Sequence, residues 1–351
     1  MKNFTFFLTT FLALFLFVEL THSQVYMVVK GEVSTPYYDL EEAIEAAEEG
    51  ATVYIPTGPY DIQKTLEIAG GYHSSTLLID KKIYLVGAGA EVGVLHNTII
   101  RGNVVLTAEA SGSQFHGIVI TGELRLDNVS NTYFKRCKVN STIHLSGSGD
   151  LNIISESDIN NVYNNESLYG GVGRPSNGIT TKILIHNNII RGIISNLKDA
   201  IFNNNVFTYN GNNLTMYTSW CIFSSNVFFI LNATLDIDDS YGNTYNNFNN
   251  NLFHRDFRAP SQSSNCMVSN NIENVPLGNI FVDQVKWQLT DDSPGKNAGS
   301  DGTDVGIYGG ISPAKEDRIP IYPSIKEFLV GSTTDSEGNL QVRIKAEAQE
   351  N

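Results

Sequence analysis

The sequence predicts an all-β fold: a parallel β-helix solenoid, with an amphipathic helix over its N-terminal end and a small β-appendage at its C-terminus. Three observations predict it. An Asn-rich motif returns along the middle of the chain, the chain is longer than one compact core organises, and the repeat region holds no segment of helical period.

The motif is an apolar residue, two polar residues that are usually Asn, any residue, and a second apolar residue. It reads Ile185-His-Asn-Asn-Ile-Ile190, Phe202-Asn-Asn-Asn-Val-Phe207, Phe223-Ser-Ser-Asn-Val-Phe228, Phe248-Asn-Asn-Asn-Leu-Phe253 and Val268-Ser-Asn-Asn-Ile272, with looser forms at 115–120, 134–139 and 154–159. Its period of roughly 17 to 25 residues is that of a solenoid. A short strand cannot bury its apolar side alone, but coils stacked about 4.8 Å apart share one continuous core. Asn at the corner tolerates a left-handed bend, and its amide can bond the equivalent Asn one coil away. The β-prone runs 123–126, 142–145, 214–217 and 234–237 supply the further strands of each coil. Leucine-rich repeats share the period but need a helical half, which this region lacks.

At the start, Phe4 to Leu20 is apolar behind Lys2 and exits through Thr21-His-Ser-Gln24, so residues 1–23 read as a secretory signal peptide cut near Ser23. The competing membrane anchor is disfavoured by the missing basic flank. No cysteine sits at the exit for a lipid, and the mature chain is expected to be secreted, extracellular, periplasmic or at the cell surface. Asp39 then caps a helix predicted over 40–49, with Glu42 completing a capping box and Gly50 stopping it. Leu40, Ala43, Ile44 and Ala47 share one face. After 310, Pro313, Pro320 and Pro323 mark a linker. Strands predicted at 327–331 and 340–346 turn at 335–339. The expected organisation is thus signal peptide 1–23, β-helix 24–310, and linker with appendage 311–351.

Residues 52–62 (TVYIPTGPYDI) following the helix, then IYLVGAG at 83–89, resemble the opening of the pectate-lyase-like right-handed parallel β-helix superfamily. The Asn-rich coils resemble its generic repeat, and DDSPGKNAG at 291–299 with DGTDVGIYGG at 301–310 resembles the closing segment of many secreted bacterial members. The resemblance spans roughly 25–310 and implies a right-handed coil. It does not fix an activity, because that superfamily holds lyases, hydrolases and adhesins.

A net charge of −14 disfavours nucleic acid and anionic membranes as partners. Cys137, Cys221 and Cys266 lie inside apolar repeat segments and read as small buried hydrophobes rather than a disulfide framework.

The candidate chemistry is carbohydrate chemistry, and the expected partner is a polysaccharide or other glycan. Relatives that cleave uronate chains are expected to neutralise a carboxylate with a cation and remove the neighbouring proton with Lys, Arg or His. Lys135 and Arg136 (with Lys138) form the densest basic group, preceded by Arg125 and followed by His186, Arg191 and Lys198. Lys135 and His186 hold the same place in their repeats with Ser155 between them, and Glu156 adjoins Arg136. Lys135, Arg136 and His186 are therefore the catalytic candidates, and Arg125, Tyr169, Arg174, Arg191 and Lys198 the substrate-binding ones. Tyr169 and Arg174 come from the insertion at 161–181, whose residue types stack on and hydrogen-bond sugars. The competing reading is a solvated face with cross-coil ion pairs. The paired-Asp and Gly-His-Gly signatures of hydrolytic relatives are absent.

No cofactor is expected. Asp236, Asp238 and Asp239 offer oxygen ligands for calcium but lack ordered loop spacing. Asp301 and Asp304 read as turn residues, and His254, Arg255, Asp256 and Arg258 as a further charged turn. The two functional expectations are a secreted carbohydrate-binding or carbohydrate-active β-helix, lyase-like on uronic-acid glycans if enzymatic, and a non-catalytic surface or adhesive scaffold. Assembly through the ends of the stack is disfavoured by the helix and appendage.

Overall fold

The computed structural model describes residues 24–68, 71–90, 97–147, 149–164, 182–209, 214–231, 235–236, 244–258, 265–315, 324–334, 337 and 340–347. Among these the chain is almost all β, and most strands pair in parallel. A twelve-stranded sheet begins with Val33–Tyr37 and Tyr26–Lys30, which pair antiparallel, and continues through Thr52–Tyr54 and Tyr84–Val86. One short strand per repeat then follows in parallel: Gln114–His116, Tyr133–Lys135, Ile153–Ser155, Leu184–His186, Ile201–Asn203, Ile222–Ser224, Asn247–Asn249 and Met267–Ser269.

A fourteen-stranded sheet has two parallel runs joined through the long strands Lys138–Ser146 and Asp158–Asn164. One run continues through Ile189–Ile190, Val206–Tyr209, Val227–Ile230 and Leu252–Phe253, the other through Ile194–Lys198 and Tyr217–Ser219. The earlier repeats thus give one strand to the first sheet and one to each run of the second, while Leu214–Thr215, Leu235–Asp236 and Phe257–Arg258 of the later ones pair in a three-stranded parallel sheet of their own. Because the register carries no offset in the first sheet, equivalent side chains fall in columns. Phe202, Phe223 and Phe248 form one buried column with rings 4.7 Å apart, and Phe207, Phe228 and Phe253 another at 4.5 and 4.6 Å.

The two Asn of the motif divide the corner between them. The first of each pair adopts left-handed backbone: Asn187 (φ 56°), Asn204 (53°), Asn250 (54°) and Asn270 (54°), with Ser225 (56°) in the same place. The second points inward and builds a ladder. Asn188, Asn205, Asn226 and Asn251 each donate side-chain Nδ2 to the next Asn's Oδ1 at 3.0–3.1 Å, ending on Asn271. The same Oδ1 atoms accept the preceding backbone N–H at 2.8–3.0 Å. Towards the N-terminus Ser157 and Cys137 extend the line. The ladder satisfies backbone groups that a buried corner leaves without strand partners.

The helix forms over Leu40–Ala46, with Asp39 accepting the N–H of Glu42 at 2.9 Å. It is shorter than the 40–49 predicted, because Ala47 is extended (ψ 128°) and its N–H closes the last turn on Ala43. Leu40, Ala43, Ile44 and Ala47 join the same core as the strand interiors. Cys137 and Cys221 are buried, and burial pushes their thiols up to about 12. Cys266 is only partly buried, beside Met267–Ser269, the last strand of the first sheet among the described residues.

The segment 275–314 does not add a repeat. Val275, Ile280, Phe281, Trp287, Leu289, Val305 and Ile307 pack on Ile189, Val206, Val227 and Leu252, a second core on the outside of one run. The left-handed corner residues hold it. Asn250 donates to Ala298 O (3.1 Å), Ser225 O accepts from Gly306 N (2.9 Å), Asn204 donates to Asp304 O (3.2 Å), and Asn187 donates to both Ile307 O and Gly309 O (2.8 Å). Ser324–Thr334 and Leu340–Glu347 pair antiparallel in a sheet of their own.

Candidate functional site

Register places Lys135, Ser155 and His186 side by side on the first sheet, as the repeat arithmetic expects, and puts His116 ahead of Lys135. Glu156 joins the basic residues. Its Oε1 lies 3.0 Å from Lys135 Nζ and its Oε2 2.7 Å from Arg136 Nε. Arg136 and Glu156 are each only 2% exposed, although both occupy the left-handed corner column that Asn187 and Asn204 continue. An ion pair so buried is sensitive to loss of either partner. The arrangement is therefore not an open cationic groove: the ion pairs between neighbouring repeats that the sequence allowed are present, but Arg136 and Glu156 are buried rather than on a solvated face. Its carboxylate is saturated by two cations, and the Arg136 guanidinium is out of reach of a polymer.

His116, 5% exposed, has its pKa pushed down to about 4, first by burial and then by Lys135 and Arg136, with Glu156 opposing. Its ring meets that of Tyr133 edge-on at 5.8 Å, and Ser155 Oγ donates to the Tyr133 hydroxyl at 3.1 Å. Sequence reasoning passed over His116, although its position in the 115–120 form of the motif is that of Lys135 one repeat later. His186 Nδ1 lies 2.8 Å from Asn187 Oδ1.

The remaining candidates are dispersed. Arg125 lies on the other sheet, bound to Glu123 at 2.6 Å, and Glu123 is held down at about 2 by His144 and Arg125. Arg191 makes a two-pronged pair with Asp158 (2.7 and 2.8 Å). Lys198 ends a strand of the second sheet, opposite Ser219. Tyr169 and Arg174 lie outside the described residues, as do Asp238 and Asp239. Among the described residues no group of three or more His, Cys, Asp or Glu could hold a metal ion.

A different surface lies further along the first sheet. Its outer columns run Ile201, Ile222, Asn247, Met267 and Asn203, Ser224, Asn249, Ser269. Ile201, Ile222 and Met267 are exposed. Two residues ahead of Ile222 and Asn247 stand Trp220 (52% exposed) and Tyr245 (44%), their rings 4.2 Å apart and within 9° of parallel. Both have φ 58°. Bulky side chains rarely adopt that backbone, which costs about 1–2 kcal/mol per residue. Neither outer column carries a charge, and Asp199 marks the corner before Ile201. This surface was not legible in the sequence, because neither Trp nor Tyr signals a left-handed corner.

No family model, no curated protein and no solved structure matches the chain. The site is therefore read from its own chemistry.

Proposed function

We propose that the chain is a secreted right-handed parallel β-helix of the pectate-lyase-like kind, capped by its N-terminal helix, that binds an uncharged glycan along the strip from Ile201 to Ser269. One observation carries this reading. A molecule of net charge −14 presents an uncharged strip combining exposed aliphatic side chains, the part-exposed amides of Asn203, Asn247 and Asn249 with the exposed Ser269 hydroxyl, and a paired Trp and Tyr. Apolar contact beside a few hydrogen-bonding groups is how sites hold ligands with both C–H and O–H faces. Strands about 4.8 Å apart repeat those groups along the strip, which suits a linear polymer.

The competing reading is β-elimination on a uronic-acid glycan with Lys135 or His186 as base, supported by their shared column. It has less support, since Lys135, Arg136, Arg125 and Arg191 are each matched to a carboxylate. The test is retardation of the purified protein in gels containing neutral or uronic-acid polysaccharides, with unsaturated products followed by ultraviolet absorbance. Neutral polymers should retard the protein, and Trp220→Asn with Tyr245→Asn should weaken this at least about tenfold, roughly 1.4 kcal/mol. Asn keeps the left-handed corner, so the fold is preserved. Retardation by uronates alone, with absorbing products lost in Lys135→Ala, would replace this reading with the lyase. Binding to nothing would leave the scaffold.

A further inference from the structure

A second surface feature lies apart from both regions. His254, Arg255, Asp256, Asn274 and Pro276 line an open cleft of about 300 Å³ at the corner after Leu252–Phe253. The sequence marks three of these as a charged turn, and the structure supplies their partners. His254 Nδ1 donates to Val275 O at 2.8 Å, so the neutral ring carries its lone pair on Nε2. Asn274, held left-handed at φ 59°, donates from Nδ2 to Asp256 Oδ1, which leaves Asp256 Oδ2 as an acceptor. Arg255 donates one N–H to Leu231 O and keeps others. Phe229 lies behind the imidazole, with ring centroids 5.8 Å apart.

We propose that this cleft binds a single neutral sugar residue. The charges of Arg255 and Asp256 cancel, so neither an anion nor a cation is favoured. What remains is two acceptors, His254 Nε2 and Asp256 Oδ2, beside the donors of Arg255 and Asn274, with Pro276 as an apolar wall. A polyhydroxylated ring, each hydroxyl both donor and acceptor, matches that set, and the volume is at the small end for ligand sites. The cleft does not depend on the Trp220–Tyr245 strip.

The test is a titration of ¹⁵N-labelled full-length protein with the methyl glycosides of glucose, galactose and mannose, and separately with inorganic phosphate. The imidazole nitrogens of His254 and the side-chain amide of Asn274 report binding. At least one glycoside should move both along one saturable curve, with a dissociation constant on the order of 1 mM, weakened about tenfold or more by Asp256→Asn or His254→Leu. Asp256 is exposed, so Asp256→Asn should fold, and it carries the test if His254→Leu, which gives up the bond to Val275 O, does not. Trp220→Asn should leave the titration unchanged, and Asp256→Asn should leave retardation by polymer unchanged, so either site can fail alone. No response to any glycoside at about 100 mM, a hundredfold above that constant, or a response to phosphate alone, would overturn the proposal.

Discussion

His116 and Asn226 show how much single side chains carry here. The imidazole of His116, held at about 4 against an unfolded value near 6.5, favours the neutral form in the folded chain. The unfolded chain therefore takes up the proton first, so the contribution is complete above about 6.5 and is lost as pH falls towards about 4. Denaturant unfolding at pH 7 and pH 5 should show stability falling by about 2 kcal/mol, and His116→Gln should remove most of that fall. Glu123, lowered from 4.5 to about 2, contributes fully above the ordinary carboxylate value and loses that contribution only as pH falls from about 4.5 towards about 2, so its window lies below that of His116. Asn226 is fully buried, donates to Phe202 O and Asn251 Oδ1, and accepts from Asn205. Asn226→Leu leaves those backbone groups unsatisfied at about 1–3 kcal/mol each, a loss that urea unfolding should read directly. At neighbouring Ser225 the left-handed backbone would suit Gly, but the buried hydroxyl accepts the Ser300 N–H at 2.9 Å, so Ser225→Gly should cost about 1–3 kcal/mol by the same measurement.

At the scale of elements, the repeats were readable and their fastening was not. The Phe, Asn and Val spacings declared the columns because each repeat answers only to its neighbours, and the helix declared itself through Asp39 and its apolar face. The Asn pair was read as one corner residue with two roles, whereas Asn204 takes the bend and Asn205 the ladder. No local pattern could show that 298–309 returns along residues 187–250, since those bonds span 48 to 122 positions. For the same reason Arg125 and Lys135, close in sequence, proved to sit on different sheets. The fastening can be tested at Asn187, where Ala removes two buried hydrogen bonds. Asn187→Ala should destabilise by about 2 kcal/mol and open 306–314 to limited proteolysis, while the core repeats stay resistant.

Across the whole molecule, charge and exposure separate the readings. An acidic protein whose Lys135 and Arg136 are matched to the Glu156 carboxylate would repel a polyuronate, and salt would relieve that repulsion. Apart from Asp199 at the corner that heads it, the strip from Ile201 to Ser269 carries no charge to screen. Retardation by a neutral glycan should therefore be unchanged between about 0.05 and about 0.5 M salt, as isothermal titration can confirm, whereas uronate binding would shift across that range. The return of 298–309 along corners laid down up to 122 residues earlier also bears on synthesis. A chain emerging from the ribosome can add strands one after another, yet Ile189, Val206, Val227 and Leu252 stay bare until the final stretch arrives. A nascent or truncated chain ending before Val275 would present that apolar row to its neighbours, so the arrival of 275–309 is the step that takes the row out of reach of aggregation.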